Sequence, residues 1–130
     1  MENRATILIV DDTPKNIQLI ANVLNKPGLY DILFAFNGKD ALKRVYENQI
    51  SLVLLDVMMP DIDGFEVASV LKSDPKYSDI PIIFLTGLVR REEVEESGGF
   101  IADRPFIAKP FHLEELTGMI ETVTAGSGAT

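Results

Sequence analysis

The sequence predicts an α/β fold, a doubly wound parallel sheet of five strands with helices on both faces. Three observations carry that expectation. Five short runs are almost continuously apolar, as strands must be when both faces of a sheet are covered. Most of the intervals between them carry apolar residues at helical spacing. The two patterns alternate along 130 residues, a length that suits one domain and a strand–helix alternation that suits parallel winding.

The first run, ATILIV (5–10), is rich in β-branched residues. Thr13 and Pro14 then open a helix, proline being at home in a first turn, and Ile17, Ile20, Ala21 and Leu24 form its stripe. The second run, DILFAF (31–36), leads to a helix striped by Ala41, Leu42, Val45 and Tyr46. The third, LVLL (52–55), is followed after Gly64 by a helix marked by Phe65, Ala68, Val70 and Leu71. The fourth is PIIFLT (81–86). The interval after it, LVRREEVEESGGFIADR (88–104), has no clean apolar stripe and holds Gly98-Gly99, so the fourth helix is expected to be short, displaced or irregular. The fifth run, PFIA (105–108), precedes a last helix marked by Leu113, Leu116, Ile120 and Val123. Residues 1–125 read as one domain, and 126–130, within the small polar ending AGSGAT, as a flexible tail or the start of a linker.

Composition narrows the function. An apolar content of 46% is enough for a substantial core. No apolar run approaches the roughly 20 residues of a membrane span, and the amino end lacks the features of a secretory signal. There is no cysteine, which excludes disulfides and thiolate metal sites and fits a cytoplasmic location. A net charge of −8 would repel phosphate backbones, so direct nucleic-acid binding is not expected.

Right-handed crossovers put every strand's carboxyl end on one edge of the sheet, where ligands of such folds bind. Asp11 and Asp12 end the first run, Asp56 the third and Thr86 the fourth, and Lys109 directly follows the fifth. Singly each has an ordinary explanation: a helix cap, a turn opener, a strand threonine, a solvated lysine. Jointly they are five polar residues at the same end of four strands. Three crowded carboxylates repel unless one takes a proton or a cation intervenes. An all-oxygen set without His or Cys suits Mg²⁺, and a carboxylate beside it is a candidate nucleophile. Mg²⁺, the Lys109 ammonium and the Thr86 hydroxyl are the groups that stabilise charge on a phosphoryl group, so the pattern points to phosphoryl transfer onto an aspartate.

The stretches ILIVDDTP, LVLLDVMMPDIDGFE, PIIFLTG and KPF, in that order, resemble the receiver domain of two-component response regulators, over roughly residues 5–124 by the strand and helix count. The resemblance implies a flavodoxin-like strand order, 2-1-3-4-5. It implies that Asp56 accepts a phosphoryl group from a histidine kinase or histidine phosphotransfer protein, and that the domain is no enzyme beyond its own phosphorylation and dephosphorylation. Asp11, Asp12, Asp56 and the Met58 backbone carbonyl would hold Mg²⁺. Lys109 would pair with phosphoryl oxygens and Thr86 would move toward them. Pro60 and Gly64 would shape the loop after Asp56, and Lys109-Pro110 would be a cis peptide. Asp61 and Asp63 read as loop and helix-start residues and not as ligands. The apolar side chains of Met58 and Leu88 would flank the phosphoryl group and limit water access.

Two departures stand out. The signalling aromatic three residues before the lysine is Phe106, which has no hydroxyl and must couple through packing. The irregular 88–104 interval puts the family's usual dimer, built on helix four, strand five and helix five, in question, so a monomer or weak dimer is expected. The opening DDTPKNIQLI favours hybrid-kinase-like relatives, and the chain either docks alone to a target or belongs to a larger protein. A metal-dependent phosphatase would want a D-x-D pair where this chain has adjacent aspartates, and the full polar set speaks against a vestigial module. Neither G-x-G-x-x-G nor G-x-x-x-x-G-K-[ST] occurs.

Overall fold

The computed structural model describes residues 5–24, 30–86, 100–101, 104–108 and 117–121. In chain order they form β1 (Ala5–Val10), α1 (Pro14–Leu24), β2 (Tyr30–Ala35), α2 (Gly38–Glu47), β3 (Leu52–Asp56), α3 (Gly64–Lys72), β4 (Ile82–Thr86), β5 (Phe100–Ile101) and β6 (Arg104–Ala108). Residues 117–121 are helical.

The strands lie in the order β2-β1-β3-β4-β6-β5. Every described pairing is parallel except β5 with β6, which is antiparallel. Among the described residues the sheet thus has β2-β1-β3-β4 in the expected parallel order, with β6 beside β4 and the short β5 beyond it. The additional β5 is only two residues long, too short to announce itself as an apolar run, and falls within the irregular interval. The expected fourth helix lies outside the described residues, as does the tail.

Side-chain alternation shows why the central strands read as unbroken apolar runs. Leu8 and Val10 of β1, Val53 and Leu55 of β3, and Ile82 and Phe84 of β4 face one core with Ala41 and Val45 of α2 and Val67, Ala68 and Leu71 of α3. Ile7 and Ile9, Leu52 and Leu54, and Ile83 and Leu85 face the other, with Ile17, Ile20 and Leu24 of α1, Ile107 of β6 and Ile120. A strand covered on both faces has no polar alternation to display. Burying each of the larger of these side chains contributes about 1.5–3 kcal/mol, so these two cores, not the rim contacts, hold the sheet edge in place.

The helix stripes differ from expectation in places. Ile17, Ile20 and Leu24 of α1 and Ala41 and Val45 of α2 are buried and Ala21 and Leu42 partly so, but Tyr46 is half exposed, its ring tilted against Tyr77 at 5.2 Å. On α3 the buried face runs Gly64, Val67, Ala68, Leu71, so Val67 is core and Val70 is not. Phe65 is also partly exposed, with its ring 5.1 Å from that of Phe84. Helix starts are set by caps. Asn37 accepts the Asp40 N–H at 2.8 Å for α2, and Asp63 accepts the Glu66 N–H at 2.8 Å for α3. For α1 the Thr13 carbonyl accepts the Asn16 and Ile17 N–H groups, with Pro14 in the first turn.

Candidate functional site at the carboxyl edge of the sheet

Register brings the acids together. Val10 lies beside Leu55, so the next residues, Asp11 and Asp56, leave adjacent strands side by side. Asp56 in turn lies beside Leu85, and Thr86 beside Ala108. Carboxylate oxygens of Asp11, Asp12 and Asp56 lie within 4.8 Å of one another. Asp11 is fully buried and Asp56 nearly so, at 4% exposure, while Asp12 is exposed.

The β1–α1 turn fixes Asp11 locally. Its backbone N–H donates to the Ala35 carbonyl at 3.1 Å. Its Oδ1 accepts the Thr13 N–H at 2.9 Å, and its Oδ2 accepts Asn16 Nδ2 at 3.2 Å. Asn16 went unnoticed in the sequence. Its signal is a polar amide at a position that α1 winds back over the acid five residues earlier. Burying two carboxylates next to a third is costly without a cation. The donors at hand are hard oxygens with no nitrogen or sulfur among them, and they are close enough to share one ion, so this set fits Mg²⁺.

The β3–α3 loop is held at both ends. The Val57 N–H donates to the Leu85 carbonyl at 3.1 Å, and the Val57 carbonyl accepts the Gly64 N–H at 2.8 Å. Gly64 is backed so closely against the Asp56 carbonyl that a Cβ there would collide with it. This is the physical reason for glycine at this position. Met58 is exposed, at 60%, and Pro60 is exposed too. Asp61 and Asp63 both engage helix N-termini. Asp63 caps α3, while Asp61 reaches across to α2, its Oδ1 accepting the Gly38 N–H at 3.0 Å and its Oδ2 the Lys39 N–H at 2.9 Å. Desolvation would raise the Asp61 carboxyl, but the N–H groups of Gly38, Lys39, Ile62 and its own residue outweigh it and lower it from 3.8 to about 2.

Of the remaining expected residues, Thr86 and Phe106 are described as strand backbone, in β4 and β6. Leu88, Lys109 and Pro110, with the expected cis peptide, lie outside the described residues. Among the described residues, no helix is long and apolar enough to cross a membrane.

The chain is similar to known proteins over most of its length. The family model for the response regulator receiver domain matches residues 7–121. The chain is 40% identical over 121 residues to the transcriptional regulatory protein YvrH of Bacillus subtilis, covering 92% of this chain and 48% of that protein. It is 40% identical over 125 residues to histidine kinase P4 of Formosa agariphila, covering 94% of this chain and 9% of the kinase. The chain thus spans half or less of the length of these curated relatives. Among solved structures it is similar to the response regulator protein TrrA of Thermotoga maritima in complex with Mg²⁺-BeF, with a TM-score of 0.73 and 34% identity over 92% of this chain and 98% of that one.

Proposed function

This chain belongs to the response regulator receiver domain family of two-component signalling, and on that premise we propose that Asp56 is its phosphoacceptor. The observation that carries the proposal is the cluster of Asp11, Asp12 and Asp56, with carboxylate oxygens within 4.8 Å and two of the three acids buried. A carboxylate oxygen of Asp56 attacks the phosphorus of a phosphohistidine on a histidine kinase or histidine phosphotransfer protein. The O–P bond forms as the P–N bond breaks, and the electron pair leaves with the imidazole nitrogen.

Asp11, Asp12, Asp56 and the Met58 carbonyl would hold Mg²⁺, which when bound neutralises the acid cluster and the charge on the transferring oxygens. Asp11 keeps its orientation through Thr13 and Asn16. Lys109 pairs with the phosphoryl oxygens. The phosphoryl group adds about 1.5 to 2 negative charges, which draw the Thr86 hydroxyl inward and open room for Phe106 to turn. We read β2-β1-β3-β4-β6 as the five-stranded flavodoxin-like order, so Thr86 and Phe106 sit on neighbouring strands and can switch one protein-binding surface. Coupling of this type is worth about 1–3 kcal/mol. The domain catalyses only its own phosphorylation and dephosphorylation, works in the cytoplasm as a monomer or weak dimer, and does not itself contact nucleic acid.

The test is incubation with Mg²⁺ and acetyl phosphate followed by intact-mass measurement. One added phosphoryl group, absent in Asp56→Asn and in excess chelator, is expected. Turnover of the donor with no labelled protein would point to a phosphatase, and no reaction at all to a vestigial module.

A further inference from the structure

We propose that Asp61 is a positioning residue of the phosphoryl-transfer site, its carboxylate on the N-terminus of α2 holding the β3–α3 loop so that Met58 stays in register with the acid cluster. The proposal rests on the receiver reading above and adds to it a residue that this reading leaves idle.

The loop from Val57 to Asp63 connects the acceptor strand to α3. Its base is pinned, since Val57 is bonded to both Leu85 and Gly64. Its tip is pinned by different means. Both Asp61 oxygens accept backbone N–H groups 23 and 22 residues earlier in the chain, on Gly38 and Lys39. Beside that contact, a Cβ on Gly38 would collide with the side chain of Ile62, so loop and helix approach as closely as glycine allows. Met58, Met59 and Pro60 span the segment between these two anchors.

Capping alone does not account for Asp61. The side chain of Asn37 already serves α2 by accepting the Asp40 N–H. Asp61 takes the two preceding N–H groups, at the positive end of the helix, and does so from another element. What it adds is a cross-link between α2 and the loop that carries Met58. The same contact explains why a fourth acid of the rim stands apart from the cluster: Asp61 is not part of the group formed by Asp11, Asp12 and Asp56. Its charge is matched by backbone dipoles, and its low carboxyl pKa agrees with that.

The test is Mg²⁺ affinity by calorimetric titration, with amide hydrogen exchange across residues 57–63 and melting temperature measured in parallel. Asp61→Ala is expected to weaken Mg²⁺ binding about tenfold, the low end of losses seen when groups supporting a metal's ligands are removed, and to speed exchange in the loop. Asn37→Ala, which removes a cap of the same helix without touching the loop, is expected to lower the melting temperature while leaving the Mg²⁺ affinity unchanged. Asp61→Asn, which keeps one acceptor oxygen, is expected to fall between wild type and Asp61→Ala, and serves should the alanine variant not fold. Unchanged Mg²⁺ affinity in the Asp61 variants would overturn the proposal, as would equal weakening in Asn37→Ala. A wild-type chain that takes no phosphoryl group removes the receiver reading and the proposal together. A wild type that takes one, beside Asp61 variants of unchanged affinity, removes the proposal alone.

Discussion

The β1–α1 turn and the β3–α3 loop lie on the same rim of the sheet and each carries two aspartates, yet they treat them oppositely. In the turn, Asp11 is buried and accepts from Thr13 and Asn16 close by in the chain, and it shares a cluster with Asp12 and Asp56. In the loop, Asp61 and Asp63 are exposed, and each sits on the N-terminus of a helix. The difference teaches that the donors around a carboxylate, not the residue type, decide its role. Helix N–H groups match a negative charge within the protein. A cluster of like charges instead favours a cation between its members, or a proton on one of them.

That contrast can be broken at four points. If the turn's surplus charge calls for Mg²⁺, then Mg²⁺ at a hundredfold above its Kd should stabilise the wild type by about 2.7 kcal/mol in urea unfolding, and Asp11→Asn should lose most of that gain. Gly64→Ala would force a Cβ onto the Asp56 carbonyl, so a loss of about 2 kcal/mol is expected from urea unfolding, within the range for overpacking, together with slower phosphoryl uptake. Asp63→Ala removes only a cap, and chemical denaturation should register about 1 kcal/mol with phosphorylation intact.

The smallest effect is the acid response of Asp61. Its folded carboxyl is depressed from 3.8 to about 2, so its contribution is present above 3.8 and disappears as pH falls through the folded value. Because the side chain is exposed, solvent screening keeps that contribution small. Melting curves of wild type and Asp61→Ala should differ above 3.8 and converge near 2. A gap that persists unchanged at the acid end would mean that the hydrogen bonds to α2 do not depend on charge.

The interior strands were legible because β1, β3 and β4 are covered on both faces and so read as unbroken apolar runs. For β2 the run alone says less, and it was the expected order 2-1-3-4-5 that put this strand at the edge. It reads as another such run, but it is an edge strand on which Phe34 is 42% exposed and Arg44 Nε donates to the outward Phe34 carbonyl at 3.1 Å. Apolar continuity does not distinguish centre from edge. On α3 the stripe of Phe65, Ala68, Val70 and Leu71 holds for Ala68 and Leu71, while the fold buries Val67 and leaves Phe65 and Val70 partly exposed, because rotation of a helix about its axis is set by what it packs against. The acids of the site were visible because each ends an apolar run. The hold of Asp61 on α2 was not, because its partners lie 22 and 23 residues away and only tertiary structure brings them near.

Chemical trapping probes the phosphoacceptor assignment most directly. After Mg²⁺ and acetyl phosphate, borohydride reduction converts an aspartyl phosphate to homoserine, and peptide mass mapping locates it. The account requires homoserine at position 56 and nowhere else. Homoserine at Asp11, Asp12 or Asp61, or none at all with Mg²⁺ bound, would contradict it.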